Sequence, residues 1–354
     1  MRSTTGLESD TYMIDSNQFS QNRQIVTGVL MTNLGTPDAP TTAALRRYLA
    51  EFLWDPRIVD IPRPLWWLIL HGFILRFRPS RSAASYRSVW TDDGSPLLSI
   101  SKKQQEALQQ LLSQQLGQSD TGSIVVELGM RYGNPSIESA LEKLREANAQ
   151  RILVFPLYPQ NSCSTTASTF DAVAEAVKKW RWIPEFRFIN QYHDVPDYIE
   201  ALAASVREAW NEREQPEKLL FSFHGTPKRF FTEGDPYFTQ CHQTAILVAE
   251  RLGMPEDRWQ LTFQSIFGRE EWLGPYTIDR LKELAANGVT SVDIVCPGFS
   301  ADCLETIEEI CVENRDAYIE AGGKTFNYIP ALNDRVDHIQ ALSNLVQKNT
   351  IDWF

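Results

Sequence analysis

Cysteine is scarce in this 354-residue chain: five in all, at 163, 241, 296, 303 and 311, an odd count with no Cys-x-x-Cys pair. That excludes a disulfide-stapled secreted scaffold and a zinc ribbon, and it fits a reducing compartment. Basic residues are outnumbered, 34 Lys and Arg against 45 Asp and Glu for a net charge of -11, and they gather into no basic face. A nucleic-acid binder needs such a face to neutralise phosphates, so nucleic acid is not an expected partner. No apolar run reaches the roughly 20 residues that span a bilayer. Residues 1–24 also lack the apolar stretch of about 7–15 residues that a secretory signal carries. The expectation is a flexible N-terminal tail over 1–24 on a cytoplasmic protein. Neither G-x-G-x-x-G, G-x-x-x-x-G-K-[ST] nor G-x-S-x-G occurs, which disfavours dinucleotide, P-loop and nucleophile-elbow chemistry.

What is present is an alternation. Short apolar runs at 25–32, 124–130, 152–157, 185–190, 219–223, 260–264, 291–297 and 324–329 are separated by helical patterns. Nearly all-apolar strands between helices predict parallel sheets covered on both faces. The count divides four and four, which predicts two α/β domains, over 25–195 and 196–330, and a C-terminal helix in 331–354 that packs back on the body. In such folds ligands collect at the carboxyl ends of the strands. There the chain carries unusual segments, among them 33–37, 130–135, 156–160, 222–227, 263–265 and 296–303, all of which read as loops approaching a ligand.

Two constellations carry chemistry. His224 follows the apolar strand 219–223 and precedes Gly225. An imidazole there either meets a ligand, as base or metal ligand, or satisfies a loop hydrogen bond. Asp302, Glu305, Glu309 and Glu313 are spaced +3, +4 and +4 and share one face of a helix. That face is either a solvated one or an oxygen-rich track that guides a cation or protons toward the sheet edge of His224. Arg131 and Tyr132 can hold a carboxylate and a flat apolar ring together. The greasiest segment, 61–77, holds Trp66 and Trp67 and places only twelve residues between Arg63 and Arg76. It fits either a buried helix or an element lying at a membrane interface.

Eight blocks, in order, resemble the ferrochelatase family: Asn-Leu-Gly-Thr-Pro at 33–37, Asp-Gly-Ser-Pro-Leu at 93–97, Tyr-Pro-Gln-Asn-Ser-Cys-Ser-Thr-Thr at 158–166, Ser-Phe-His-Gly-Thr-Pro at 222–227, Gly-Asp-Pro-Tyr at 234–237, Phe-Gln-Ser at 263–265, Trp-Leu-Gly-Pro-Tyr-Thr at 272–277 and the run 296–306. The form is closest to that of Gram-negative bacteria. The resemblance implies two Rossmann-like domains of the chelatase type, enclosing a porphyrin cleft, and insertion of Fe2+ into protoporphyrin IX as the last step of haem biosynthesis. It implies catalytic and metal-handling roles for His224 and Glu305, and a metal or proton path through Asp302, Glu309 and Glu313. Leu34, Tyr86, Ser95, Arg131, Tyr132 and Trp272 match porphyrin-contacting positions. Residues 61–81 match a lip at the pocket mouth that meets the inner membrane in several members, and an upstream porphyrin-making enzyme is a further partner it suggests. Two features depart from family variants. Cys303 stands where animal members carry histidine, and the C-terminal cysteine cluster that holds a [2Fe-2S] centre in some members is missing. No cluster and no tightly bound cofactor are therefore expected, with Fe2+ a substrate. Leu34, where coproporphyrin-using members commonly carry tyrosine, favours protoporphyrin IX. A non-catalytic tetrapyrrole carrier and a cobalt or nickel chelatase are the competing readings.

Overall fold

A computed structural model describes residues 25–116, 122–268 and 270–353; the expected tail over 1–24 lies outside them. Eight strands form two parallel sheets. The first holds β1 (Ile25–Thr36), β2 (Gly122–Gly133), β3 (Ala149–Pro156) and β4 (Glu185–Phe188) in the order β2-β1-β3-β4. The second holds β5 (Lys218–His224), β6 (Trp259–Gln264), β7 (Ser291–Val295) and β8 (Thr325–Ile329) in the order β6-β5-β7-β8. Each half thus repeats one strand order, with helices on both faces. This is the expected α/β class.

The central strands are nearly all apolar because both faces are covered: Val29, Leu30 and Met31 of β1 and Leu219 to Phe221 of β5 are fully buried. One continuous core joins the two sheets, running from Val29 and Phe155 to Phe221, Phe223 and Val295. Leu342 and Val346 of the final helix, Val336–Thr350, sit in that core. Beyond it the chain returns to the first sheet: the Arg187 guanidinium pairs with Asp352 and lies 4.3 Å from the centre of the Trp353 ring.

β1 and β2 run further than the apolar pattern marks. Their register continues through Asn33↔Met130 and Gly35↔Tyr132 to Thr36↔Gly133. Residues 33–36 and 130–133 are therefore strand, not loop. Gly35 permits this, at φ +105: a Cβ there would fall 1.8 Å from the Tyr132 carbonyl oxygen.

The segment 61–77 is helical, Arg63–Ile69, a π-turn Leu70–Ile74, then Leu75–Val89. It divides the two tryptophans. Trp66 is buried and donates from Nε1 to the Leu53 carbonyl (2.7 Å), whereas Trp67 is 51% exposed. Trp66 is thus a core anchor and not half of an interfacial pair. The exposed set is Leu65, Trp67, Leu68, Phe73 and Phe77. Among the described residues no helix is long and apolar enough to cross a membrane.

Candidate active site

The strand Lys218–His224 ends by delivering His224, half-buried, to the mouth between the halves. Gly225 follows because the chain passes too close to β6 for a side chain: a Cβ would lie 2.8 Å from the Gln264 carbonyl oxygen and 3.2 Å from the Trp272 ring. His224 Nδ1 lies 2.6 Å from the Gly225 carbonyl oxygen. A carbonyl only accepts, so Nδ1 carries the proton in that bond and the neutral ring keeps its lone pair on Nε2. Tyr237 donates from its hydroxyl to the His224 carbonyl at 3.0 Å, which fixes the backbone beneath the ring.

After β7 the chain enters a π-helix, Glu305–Asn314. Its i→i+5 hydrogen bonds make a spacing of four fall just short of one turn, so Glu305, Glu309 and Glu313 stay on adjacent positions of one face. Exposure grows along that face: Glu305 and Glu309 are half-buried and Glu313 is exposed. The Glu309 carboxylate accepts from the Ser265 backbone N–H (2.6 Å) and hydroxyl (2.5 Å), holding Ser265 at φ +63. Burial nonetheless raises its proton affinity above that of an ordinary carboxyl, opposed by the Ser265 bonds and by nearby His224.

Asp302 does not belong to that face. It precedes the helix, is buried, and accepts from Thr306 Oγ1 (3.0 Å), Tyr328 Oη (2.7 Å), Asn333 Nδ2 (2.8 Å) and Ala331 N (3.3 Å). With its oxygens engaged in its own loop it anchors the start of the helix. Its sequence spacing placed it on the track only by assuming that the helix began three residues earlier.

The first half supplies the opposite wall. Tyr86, on the helix Leu75–Val89, is pushed far above the usual phenol range, first by burial and then by the charge of Glu305. The helix that carries Tyr86 packs against the π-helix that begins at Glu305. Leu34 packs with Leu97, Ala301, Cys303 and Phe299, at the seam of the two halves. Ser95 is buried and accepts from the Thr36 hydroxyl at 2.8 Å. Arg131 is half-buried, with Nε on Ser168 Oγ (2.6 Å) and Nη2 on Asp55 (2.5 Å). Tyr132 is fully buried and donates to the same Asp55 oxygen at 2.8 Å. It lies behind Arg131 and exposes no ring surface to the cleft. Trp272 is buried against Phe267, ring centres 4.9 Å apart.

The structure therefore gathers His224, Glu305, Glu309 and Trp272 on one wall and sets Leu34, Tyr86 and Arg131 on the other. Tyr132 and Ser95 support from within, and Glu313 lies at the surface. Among the described residues no three His, Cys, Asp or Glu side chains converge to hold a metal ion. A groove of about 380 Å³ is lined by Lys228, Phe231, Phe238 and Trp272, and by neither His224 nor Glu305. Sequence reasoning missed Asp55, and it took in Gln264 only within the segment 263–265, with no role of its own. Asp55 sits where a helix stops before a proline, a pattern that reads as punctuation, and Gln264 reads only as the polar end of a strand.

The family model described as ferrochelatase matches residues 26–350. A ferrochelatase of Marinobacter nauticus is 56% identical over 326 residues, covering 92% of this chain and 87% of that protein. One of Nitrosococcus oceani is 57% identical over 326 residues, with the same coverage. Among solved structures, SirB from Bacillus subtilis with Fe3+ superposes with a TM-score of 0.55 at 10% identity, covering 93% of this chain and 97% of that one. At that identity the likeness concerns the fold alone.

Proposed function

The chain belongs to the ferrochelatase family and inserts iron into a porphyrin in haem biosynthesis, and from that premise we propose that His224 and Glu305 handle the protons that the metal displaces. Two pyrrole N–H protons must leave as Fe2+ enters the ring, and the charge balances when both depart. The observation that carries the assignment is the tautomer of His224: with Nδ1–H tied to Gly225, the free Nε2 lone pair is the acceptor at the cleft. Glu305 faces the same space. Glu309, with its raised proton affinity, and exposed Glu313 continue the path to solvent. Arg131, held by Ser168 and Asp55, offers a guanidinium to a porphyrin carboxylate.

Protoporphyrin IX is the proposed porphyrin. The apolar seam at Leu34 and Ala301 suits its vinyl-bearing edge better than the additional carboxylates of coproporphyrin. The protein is supplied with anaerobic Fe2+ and either porphyrin, and the loss of porphyrin fluorescence is followed. Multiple turnovers with a higher kcat/KM for protoporphyrin IX are expected. Preference for coproporphyrin overturns the substrate assignment, and quenching that stops at one equivalent overturns the catalytic one. No resident cofactor or iron–sulfur cluster is proposed.

The lip is proposed to rest on an anionic lipid surface at the cytoplasmic face of the inner membrane, where product and substrate are both apolar. Leu65, Trp67, Leu68, Phe73 and Phe77 are each more than half exposed, with Arg76, Arg78 and Arg81 beside them. Trp67→Ser with Leu68→Ser is expected to abolish flotation with anionic vesicles and leave the thermal midpoint unchanged. Trp66→Ser is expected to lower the midpoint instead. Undiminished flotation of the double variant overturns lipid contact and points to a protein, such as a porphyrin-making enzyme, as the occupant.

A further inference from the structure

We infer that Gln264 is a positioning residue that sets the distance between His224 and Glu305; the inference rests on the roles proposed above for that pair. Gln264 is the last residue of β6 and stands directly beside His224 in the parallel ladder. It is only 2% exposed, an uncommon place for an amide unless every polar atom is used. Here they are. Oε1 accepts from the Ser222 hydroxyl at 2.7 Å and faces the Cys296 thiol at 3.5 Å. Nε2 donates to the Glu305 carbonyl at 3.0 Å, and the backbone carbonyl accepts from Gly225 N at 2.7 Å.

One side chain thus ties the His224 strand, two residues upstream of the imidazole, to the first residue of the π-helix. Because the Glu305 carbonyl can only accept, the amide orientation is determined: nitrogen toward Glu305, oxygen toward Ser222. Ser222 is itself held by Thr277 Oγ1 at 2.9 Å, so the bridge has a fixed far end. The next residue, Ser265, clasps the Glu309 carboxylate, which pins a second point of the same helix. Glu305 has a half-buried side chain at a helix start, and its backbone carbonyl is the atom through which the sheet holds it. Gln264 touches neither porphyrin nor metal; it acts through Glu305 and His224.

Gln264→Met keeps the volume and removes both polar functions. It is expected to lower kcat about 10- to 100-fold, the cost of misplacing a reacting group by a fraction of an ångström to one ångström, with porphyrin KM unchanged. The same change in a Glu305→Gln background is expected to cost less than about twofold more, because both act on one step. Gln264→Glu is the second variant. It keeps the acceptor for Ser222 and, when protonated, a donor for the Glu305 carbonyl; burial favours that protonated form. Its turnover is expected to approach the wild type at low pH and fall as pH rises, in a range where the wild type holds. Full turnover in Gln264→Met, an additive loss in the double variant, or a Gln264→Glu profile parallel to the wild type overturns the inference. Full turnover in Glu305→Gln alone overturns the role of Glu305 and this inference with it, whereas a loss there without one in Gln264→Met overturns this inference only. If Gln264→Met does not fold, the pH profile of Gln264→Glu decides.

Discussion

In the His224→Ala variant iron insertion is expected to slow by about 10²- to 10⁴-fold, the usual contribution of a positioned acid–base group, while porphyrin binding is retained. The loss follows from geometry. Nδ1–H is committed to Gly225 at 2.6 Å, so the ring cannot turn over without breaking that bond, and Nε2 is the basic atom offered to the cleft. Neither buried histidine substitutes for it. His338 is fully buried and burial lowers its pKa to about 4, while His193 is buried with Nε2 on Gln243 at 3.0 Å. Porphyrin binding survives because the opposite wall is untouched; the local cost of the substitution falls on the Gly225 carbonyl, which loses its Nδ1–H donor. Single-turnover insertion under anaerobic conditions separates the two quantities: fluorescence titration without metal reports affinity, and addition of Fe2+ reports chemistry. Near-normal turnover with normal affinity rules out His224 as the acceptor. Loss of affinity in proportion to turnover makes it a binding residue instead.

How much of this was legible from the sequence differs by residue. His224 could be placed at a strand end because the run Leu-Leu-Phe-Ser-Phe before it is apolar and the glycine after it ends the strand, both of them local signals. Glu305, Glu309 and Glu313 could be grouped because a spacing of four keeps residues adjacent in an α-helix and in a π-helix alike. Asp302 was grouped with them on the same arithmetic, but its partners Tyr328, Ala331 and Asn333 lie 26 to 31 positions away, and no periodicity encodes them. Trp66 and Trp67 are neighbours in sequence and opposites in space, since consecutive helical residues point about 100° apart and only one can reach the Leu53 carbonyl. β1 and β2 outran their apolar runs because their last pairs depend on Gly35 letting two backbones approach, not on side-chain pattern. Asp55 and the role of Gln264 within the marked segment 263–265 were illegible for a common reason: each is a buried polar residue whose meaning lies in partners 32 to 113 positions distant.

Those distant partners give Asp55 the second large effect. Asp55→Ala is expected to destabilise the protein by about 3–5 kcal/mol, the cost of leaving a buried charge without its counter-ion. The carboxylate is buried and takes four donors: Arg131 Nη2 (2.5 Å), Tyr132 Oη (2.8 Å) and Ser168 Oγ (2.6 Å) on one oxygen, and Arg57 N (2.7 Å) on the other. Removing it strands the guanidinium of Arg131, whose side chain is only 17% exposed, together with two hydroxyls. Asp55→Asn keeps an acceptor and is expected to cost less. The pH dependence has a definite sign. Burial alone would raise the Asp55 pKa, but the bonds from Ser168, Arg57 N and Tyr132 and the charge of Arg131 outweigh it and hold the pKa below the usual carboxyl value. A folded-state pKa below the unfolded one contributes stability that is complete above about pH 4 and is lost as pH falls through the folded value. Urea unfolding of wild type and Asp55→Asn should therefore differ by a constant amount at neutral pH and converge in acid. An Asp55→Ala variant within about 1 kcal/mol of wild type shows that the pair is not what holds this wall. Because Asp55 also aims Arg131, the folded fraction of Asp55→Asn is expected to raise the KM for porphyrin and leave the kcat of insertion intact, as befits a residue that orients the anchor and takes no part in the proton transfer on the other wall.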